Sequence, residues 1–372
     1  MMYDYLIVGG GFAGCVIAER IASQLGKKVL IIDRRNHIAG NAHDYYDNNG
    51  ILIHKYGPHI FHTSSKKVWD YLSNFTEWIP YEHTVMAVVN GKKVPVPFNL
   101  NSIEQVFPKK IASKYQALLL EKYGYGLKIP ILKLLENKQE DLKVIADFIY
   151  QNIFYGYTLK QWGLKPEELD FSVTSRVPVF ISHDNRYFQD TYQGIPEKGY
   201  TELFNKLIKN KNIEVLLNTD YKINSSSIKF NKLIYTGPID EYFDYKFGKL
   251  PYRSLHFDFK TFKKEWFQEV AQVNYPNDFD YTRITEFKHF HRQKTKATTV
   301  AFEFPQEFEL GKNEPYYPIQ NVSNNDLYNR YKKESEKLKN TIFVGRLAEY
   351  KYYNMDQIVG VALMKFDKEI AK

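Results

Sequence analysis

Residues 3–33 read YDYLIVGGGFAGCVIAERIASQLGKKVLIID and specify the first structural unit of the chain. This pattern predicts a β-strand, a glycine turn, a helix and a second strand. Gly9, Gly11 and Gly14 fill the G-x-G-x-x-G frame, in which glycines permit a tight turn, backbone access to a pyrophosphate, and close helix–strand packing. Asp33 ends the second strand about 20 residues later, where a carboxylate accepts a ribose hydroxyl. The unit therefore predicts a site for an adenine dinucleotide.

The residues after Asp33 favour FAD over NAD. Residues 34–42 continue as a turn of small residues, whereas nicotinamide enzymes usually begin another helix here. Later, residues 233–238 (LIYTGP) predict a strand and a turn at Thr236 and Gly237, which flavoproteins of this type place near the cofactor. Either piece alone also fits an ordinary strand and turn.

Composition bounds the class of protein. With 372 residues the chain is too long for one typical core, so two or three domains are expected. Lys and Arg exceed Asp and Glu by 51 − 43 = 8, which suits an anionic substrate, while no basic block indicates nucleic acid. No apolar run approaches the ~20 residues of a membrane span. Cys15 is the only cysteine, so no intrachain disulfide can form, and we expect a cytoplasmic protein without membrane insertion.

The order of predicted elements indicates an α/β fold: an FAD-binding Rossmann-like domain with a helical insertion and an antiparallel β-sheet domain. Residues 66–75 predict an amphipathic helix, Asn90-Gly91 predicts a type I′ hairpin, and residues 102–159 are helical in pattern. We assign residues 1–65, 199–245 and 320–372 to the FAD-binding domain, residues 66–84 and 101–178 to the helical domain with a mobile loop at 163–177, and residues 85–100, 179–198 and 246–319 to the antiparallel sheet domain.

No conventional catalytic motif is present in the sequence, which has no G-x-S-x-G, C-x-x-C or H-E-x-x-H. His54, His59 and His62 lie close together, but their spacing matches no standard ligand pattern, so we expect no metal. His289 and His291 alternate on an expected strand and are predicted to be surface residues. A bound flavin would then carry the covalent chemistry, and the protein would supply orientation and electrostatics.

Short strings spread over nearly the whole chain resemble the UDP-galactopyranose mutase family, flavoenzymes that interconvert the pyranose and furanose forms of UDP-galactose. They are HKYGPHIFHT (54–63), GYTLKQWG (156–163), YQGIP (192–196), YTGPID (235–240), YFDY (242–245), EPYYP (314–318) and GRLAEYKYY (345–353). The resemblance implies a cytoplasmic isomerase that uses reduced FAD and is a homodimer by analogy. It implies that flavin N5 attacks the anomeric carbon without net redox.

The resemblance also implies the site residues. Two arginines that clamp the diphosphate map to Arg176 and Arg283, and Arg176 lies on the expected mobile loop, where it would close as a lid. The catalytic residues implied are Arg176, Arg283, His62 and Arg346. The substrate-binding residues implied are Tyr157, Trp162, Arg176, Tyr187, Phe188, Asn274, Arg283, Tyr317 and Tyr352. The cofactor-binding residues implied are Gly9, Gly11, Phe12, Gly14, Asp33, Arg34, Asn41, His59, Thr236, Gly237, Arg346, Asn354 and Met355.

Several positions depart from the family pattern. Asn354 stands where the family has aspartate; it keeps the capacity to cap a helix but loses the charge. Pro58 replaces a small residue, and His83 stands where close relatives carry asparagine near the substrate pocket. These changes leave sugar choice and rate open, whereas Ala39 in place of glycine looks conservative.

Three other functions are open from the sequence. One is a mutase acting on UDP-N-acetylgalactosamine, since pocket volume cannot be read from the sequence. Another is an FAD oxidoreductase of amine-oxidase type, which shares the glycine motif but does not explain the paired arginines or the tyrosine strings. The third is a non-catalytic binder of a UDP-sugar or nucleotide.

Overall fold

The computed structural model describes residues 2–371. Its strands are β1 (Met2–Val8), β2 (Val29–Ile32), β3 (Asp44–Tyr46), β4 (Leu52–His54), β5 (Phe61–Thr63), β6 (Trp78–Pro80), β7 (Val85–Val89), β8 (Lys92–Val96), β9 (Lys128–Ile129), β10 (Val179–Phe180), β11 (Tyr192–Pro196), β12 (Ile213–Leu216), β13 (Lys229–Tyr235), β14 (Tyr252–Phe262), β15 (Gln272–Asn274), β16 (Arg283–Glu286), β17 (Thr298–Glu307), β18 (Tyr317–Pro318) and β19 (Thr341–Phe343).

The helices follow the same chain order. They are α1 (Phe12–Gln24), α2 (Lys66–Ser73), α3 (Leu100–Val106), α4 (Lys109–Tyr123), α5 (Ile131–Leu135), α6 (Glu140–Ile149), α7 (Gly156–Trp162), α8 (Phe171–Thr174), α9 (Tyr200–Leu207), α10 (Tyr221–Asn224), α11 (Ile239–Tyr242), α12 (Lys288–His291), α13 (Val322–Ser335) and α14 (Met355–Lys365). Within residues 2–371, none of these helices combines the length and the apolar character needed to cross a membrane.

A five-stranded parallel sheet forms the dinucleotide-binding part of the fold. Its strand order is β12-β2-β1-β13-β19, and every neighbouring pair is parallel. All four residues of β2 are buried, as expected for a parallel strand covered on both faces. Helix α1 packs on this sheet together with α14 and α9. The Rossmann-like domain predicted from residues 3–33 is therefore confirmed.

A seven-stranded sheet forms the second large layer, with strand order β18-β14-β17-β16-β15-β7-β8. The β7–β8 hairpin turns at Asn90 (φ 49°) and Gly91 (φ 75°), so the predicted type I′ turn is confirmed. The sheet is not purely antiparallel, because β15 pairs with β7 in parallel.

Residues 179–196 lie outside this large sheet, although the sequence suggested that they belong to it. Strand β10 pairs with β9, and β11 forms a three-stranded sheet with β5 and β6. Aromatic stacking explains the position of β11. Trp69 stacks on Trp78 and on Tyr192, with ring centroids 4.5 Å and 5.2 Å apart.

The helical insertion packs against the β7–β8 hairpin. Helix α6, a π-helical turn at Tyr150–Tyr155 and α7 follow one another without a break. The helical pattern predicted for this part of residues 102–159 is confirmed, and its apolar stripe is buried: Leu142, Ile145, Ala146, Ile149 and Ile153. The insertion therefore carries α7, with the motif GYTLKQWG, to the edge of the large sheet.

Two helical assignments differ from the sequence expectation. Val68, Tyr71 and Leu72 of α2 are buried in the same apolar core as α1, so α2 packs with the dinucleotide-binding layer and not with the helical insertion. His289 and His291 lie on the short helix α12 and not on a strand. The reason is that Lys288 points inward there and donates from Nζ to the carbonyl oxygens of Glu265 (2.6 Å) and Thr295 (2.9 Å).

The segment at residues 163–177 contains regular structure. A short 3₁₀ turn at Pro166–Glu168 precedes α8, and the Asp170 N–H donates to the carbonyl oxygen of Gln320 (3.1 Å). The mobility of this segment and the domain boundaries given above stay predictions.

Candidate active site

The glycine turn after β1 leaves no room for a side chain at Gly9 or at Gly14. Gly9 has φ +106°, and a Cβ added to it would lie 2.0 Å from Oγ1 of Thr236. A Cβ on Gly14 would lie 2.1 Å from the carbonyl oxygen of Gly9. Gly14 therefore has the packing role predicted for the third glycine of the frame, and the turn holds β1, α1 and the β13 end together.

Asp33 is fixed at the carboxyl end of β2. The Gly10 N–H donates to its Oδ2 (2.8 Å), and the Arg35 N–H donates to its Oδ1 (2.9 Å). The start of α1 carries no side-chain cap and no acidic residue, so its first N–H groups are available to an anion. Backbone donors and a ribose-binding carboxylate therefore lie side by side.

A first cavity, lined by the ends of β1, β2 and β13, contains this turn. Every residue expected to bind cofactor lines it except Gly14 and Asn354: these lining residues are Gly9, Gly11, Phe12, Asp33, Arg34, Asn41, His59, Thr236, Gly237, Arg346 and Met355. The crowded glycines, the free helix N-terminus and Asp33 are the features that an adenine dinucleotide requires.

Ala39 lies on the loop beside this cavity and corrects one expectation from the sequence. Its φ of 74° is in the left-handed region, followed by Gly40 at φ 54°. Alanine in this region costs about 1–2 kcal/mol that glycine does not. The alanine is therefore not a conservative replacement, because its backbone conformation is strained.

Charged residues beside Asp33 form a compact network that the sequence did not reveal. Glu314 accepts from Arg35 (2.8 Å) and from Arg34 (3.1 Å). Burial alone would raise the pKa of Glu314, but the two arginines outweigh it and lower that pKa. The Arg35 guanidinium also lies 4.5 Å from the centroid of the Tyr56 ring. The network fixes both arginines at one end of the first cavity.

His59 lines the first cavity, and its contacts define which ring nitrogen carries the proton. Its Nδ1 lies 2.8 Å from the carbonyl oxygen of Gly57, which can only accept, so Nδ1 carries the proton. Burial lowers the pKa of His59 to about 4, so the ring is neutral near pH 7 and Nε2 is an acceptor.

A second cavity lies between the helical insertion and the large sheet. It is lined by all of the expected substrate residues except Phe188: these are Tyr157, Trp162, Arg176, Tyr187, Asn274, Arg283, Tyr317 and Tyr352. The structure thus brings together residues from α7, the 163–177 segment, β15, β16, β18 and the C-terminal region. Their roles in binding stay predictions.

Arg283 is held by a buried carboxylate that the sequence interpretation missed. Glu303 lies opposite it in the β16–β17 ladder and accepts from Arg283 Nε (2.7 Å) and Nη2 (2.6 Å). Thr282 donates its hydroxyl to the other oxygen of Glu303 (3.1 Å). The alternation of β17 could have revealed Glu303, because it shares the sheet face of the buried Ala301.

Arg176 contacts two residues that precede the last α-helix, α14. Its guanidinium carbon lies 3.9 Å from the centroid of the Tyr352 ring, and it donates to Oδ1 of Asn354. The Asn354 N–H in turn donates to Oε1 of Gln357 (2.9 Å). Asn354 is therefore a partner of Arg176 at the start of α14. It was expected among the cofactor-binding residues, but it is absent from the lining of the first cavity.

Arg346 marks the place where the two cavities adjoin. It lines the first cavity, while its guanidinium lies 5.1 Å and 5.6 Å from the ring centroids of Tyr352 and Tyr317, which line the second. Its Nη2 donates to the carbonyl oxygen of Tyr353 (2.7 Å). Burial raises the pKa of Tyr317, so its hydroxyl stays protonated and can donate.

His62 and Phe188 line neither cavity. Their rings stack with centroids 3.6 Å apart, and His62 Nδ1 lies 2.8 Å from Oδ2 of Asp190. Phe188 packs edge-on against Tyr187, at 4.9 Å between centroids. Both side chains therefore stand behind Tyr187, and their predicted catalytic and substrate-binding roles stay predictions.

His83 also lies in this layer behind Tyr187. Its carbonyl oxygen accepts from the Tyr187 N–H (2.7 Å), and burial lowers the pKa of its ring to about 3. Like His62 and Phe188, it is absent from the lining of the second cavity. Its contact with the lining of that cavity is therefore through Tyr187.

Sequence comparisons relate the chain to nucleotide-sugar mutases. The profile of the UDP-galactopyranose mutase (GLF) family matches residues 152–352, and that of NAD(P)-binding Rossmann-like domains matches residues 7–75. A probable UDP-galactopyranose mutase from Klebsiella pneumoniae is 37% identical over 98% of this chain and 94% of its own length. A dTDP-fucopyranose mutase from Escherichia coli is 35% identical over 97% of both chains.

The fold is similar to solved flavoenzymes. The structure of a reduced UDP-galactopyranose mutase matches with a TM-score of 0.74 at 16% identity, over 100% of this chain and 95% of that chain. A putative protoporphyrinogen oxidase from Exiguobacterium matches with a TM-score of 0.62 at 11% identity, over 99% of both chains.

Proposed function

The chain belongs to the UDP-galactopyranose mutase family, and we propose that it is an FAD-dependent isomerase that interconverts UDP-galactopyranose and UDP-galactofuranose. The observation that carries this proposal is the meeting of two cavities at Arg346. One cavity has the features of a dinucleotide site, and the other contains two arginines and several tyrosines. A nucleotide sugar in the second cavity would therefore present its sugar to a cofactor in the first.

FAD fits the first cavity. The pyrophosphate would lie on the glycine turn and the start of α1, with a ribose hydroxyl on Asp33. Arg346 would lie at the cofactor end that faces the second cavity, and His59 Nε2 would accept a hydrogen bond. When bound and reduced, FAD supplies a nucleophilic N5 for the anomeric carbon.

The second cavity suits a UDP-sugar for electrostatic reasons. Arg176 and Arg283 supply the positive charge and the planar donor groups that a diphosphate requires. Glu303 fixes the orientation of Arg283, so less entropy is lost when that arginine binds an anion. The protonated hydroxyl of Tyr317 adds a donor, the ring of Tyr352 lies beside it, and the surrounding aromatic rings would exclude water.

The test is chromatographic separation of UDP-galactopyranose from UDP-galactofuranose after incubation of the latter with the holoenzyme. Conversion by dithionite-reduced protein, and not by oxidised protein, is the expected result. No conversion by a yellow, reducible protein would overturn the proposed substrate. UDP-N-acetylgalactosamine and dTDP-fucopyranose would then be assayed, the second because one relative is a dTDP-fucopyranose mutase.

The family analogy extends the proposal to assembly and location. We propose a homodimer that acts in the cytoplasm on precursors of cell-surface polysaccharides. Light scattering of the purified holoenzyme tests the first part, and a monomeric mass would contradict it.

A further inference from the structure

Two separate elements carry four of the residues that line the second cavity. Helix α7 carries Tyr157 and Trp162, while Asn274 and Arg283 pair with each other at the last residue of β15 and the first residue of β16. Residues 275–282 connect those two residues. The width of the cavity is therefore set by how α7 sits against this connection.

The backbones of α7 and the connection touch directly. A Cβ on Gly156, the first residue of α7, would lie 2.6 Å from both the carbonyl oxygen of Pro276 and Oδ1 of Asn277. Asn277 also donates from Nδ2 to the carbonyl oxygen of Asn152 (3.2 Å). Glycine at position 156 is thus required by a close approach.

Lys160, one turn further along α7, links the same two elements through hydrogen bonds. Its Nζ donates to the carbonyl oxygens of Tyr275, of Phe279 (2.8 Å) and of Tyr281 (3.3 Å). An ammonium has three N–H donors, so all three are used within the protein. On the other side, Arg253 Nε donates to the carbonyl oxygen of Gln161 (3.0 Å) and fixes the end of the helix.

We propose that Lys160 is a positioning residue for substrate binding: its ammonium fastens α7 to residues 275–282 and so sets the separation of Tyr157 and Trp162 from Asn274 and Arg283. Lys160 itself does not line the second cavity. The inference rests on the proposed function, because it requires the second cavity to bind a nucleotide sugar.

The hydrogen bonds between Lys160 and residues 275–282 depend on pH. Burial lowers the pKa of Lys160 to about 8, while Asp278 and Asp280 on the connection oppose this shift. The phenol groups of Tyr275 and Tyr281 have raised pKa values, through burial, and stay neutral. Loss of one proton leaves two N–H donors for three carbonyl oxygens, so the contact weakens as the pH rises above about 8.

The experiment compares wild-type holoenzyme with K160M and K160R. Dissociation constants for UDP are measured by calorimetry, KM and kcat are measured from pH 6.5 to 9.5, and bound FAD is measured by absorbance. K160M is expected to raise the UDP dissociation constant and KM about tenfold or more, with kcat and FAD content nearly unchanged. The wild-type KM is expected to rise above about pH 8, and K160R is expected to lack this rise because its guanidinium does not titrate.

Lys143, exposed on α6 of the same continuous helix, supplies the control K143M, which is expected to bind UDP as the wild type does. If K160M binds UDP as tightly as the wild type does and has an unchanged KM, the positioning role of Lys160 is overturned, whereas the proposed function is not. If K160M does not retain FAD, the comparison of K160R with wild type decides. The same rise of KM above about pH 8 in both proteins would overturn the positioning role of Lys160. Failure of the wild type to bind UDP would overturn the proposed function and this inference together.

Discussion

The two cavities are built in different ways. The dinucleotide-binding part of the first depends largely on backbone. A Cβ on Gly9 of its glycine turn would lie 2.0 Å from Thr236 Oγ1, and helix α1 begins without a side-chain cap. The Asp33 carboxylate is held by two backbone N–H groups. The second is made of side chains from distant segments, and its arginines are held by Glu303 and Asn354. Changes in the first cavity should therefore remove the cofactor, whereas changes in the second should alter substrate binding and leave the cofactor in place.

The largest expected effect comes from Gly9→Ala. The added Cβ would collide with Thr236, and the positive φ disfavours alanine, so we expect protein purified without bound FAD. The measurement is the ratio of flavin absorbance to protein. Gly50→Ala is the control, because Gly50 has φ +72° but no atom within 4 Å of the added Cβ. A yellow G9A protein with one FAD per chain would refute the backbone-built account of the first cavity.

Arg176→Ala should separate the two cavities most cleanly. Loss of its charged hydrogen bonds to a diphosphate is expected to reduce kcat/KM at least about 100-fold, while the flavin absorbance spectrum stays that of the wild type. Arg186→Ala is the matched control, since Arg186 pairs with Asp184 (2.8 Å) and Glu82 (3.1 Å) outside both cavities. Wild-type turnover by R176A would remove Arg176 from the mechanism.

His83→Asn tests the layer behind the second cavity. The folded protein keeps His83 neutral with a pKa of about 3, while the unfolded chain binds a proton near pH 6.5, so His83 makes folding less favourable as the pH falls below 6.5. At pH 5 this amounts to about 2 kcal/mol relative to pH 7. Urea unfolding at pH 5 and at pH 7 is expected to show that H83N loses less free energy of unfolding at the lower pH than the wild type does. Equal losses in H83N and wild type would contradict the assignment of a buried neutral imidazole.

Asn354→Asp should produce the smallest effect. A carboxylate would bind Arg176 more strongly than the amide does and would compete with the diphosphate, so we expect the UDP dissociation constant to rise severalfold at low salt and less at high salt. Calorimetry at two salt concentrations measures this. The control is Asn321→Asp, the same substitution at the start of α13, where Asn321 accepts from the Asn324 N–H (2.9 Å). Unchanged or tighter UDP binding by N354D would contradict competition for Arg176.

The same contrast explains what could be predicted from the sequence. The parallel-sheet unit of residues 3–33 and the Asn90-Gly91 hairpin depend on neighbours in the chain, so local patterns sufficed. Arg283 was found only by family resemblance. The alternation of β17 places Glu303 on the buried face of the sheet, but its pairing with Arg283, 20 residues away, has no local signature. The packing of α2 and the pairing of β11 were also missed, since the first depends on Val68, Tyr71 and Leu72 meeting the core around α1 and the second on Trp69 meeting Tyr192.

Backbone conformation was the other information that the sequence did not provide. Ala39 looked like a harmless replacement, yet its φ of 74° lies where alanine is strained. Asn354 was expected beside the cofactor, but its side chain accepts from Arg176 instead. Both positions depend on a loop conformation, which motif spacing does not fix, and the cofactor-binding role of Asn354 stays a prediction.

A crystal structure of the reduced holoenzyme with UDP-galactopyranose would show whether the two cavities form one active site. We expect FAD in the first cavity, the diphosphate between Arg176 and Arg283, and the galactose ring at Arg346 against the flavin. A nucleotide sugar bound elsewhere, or a sugar separated from the flavin by the Tyr317 and Tyr352 rings, would contradict the claim that the two cavities form one active site.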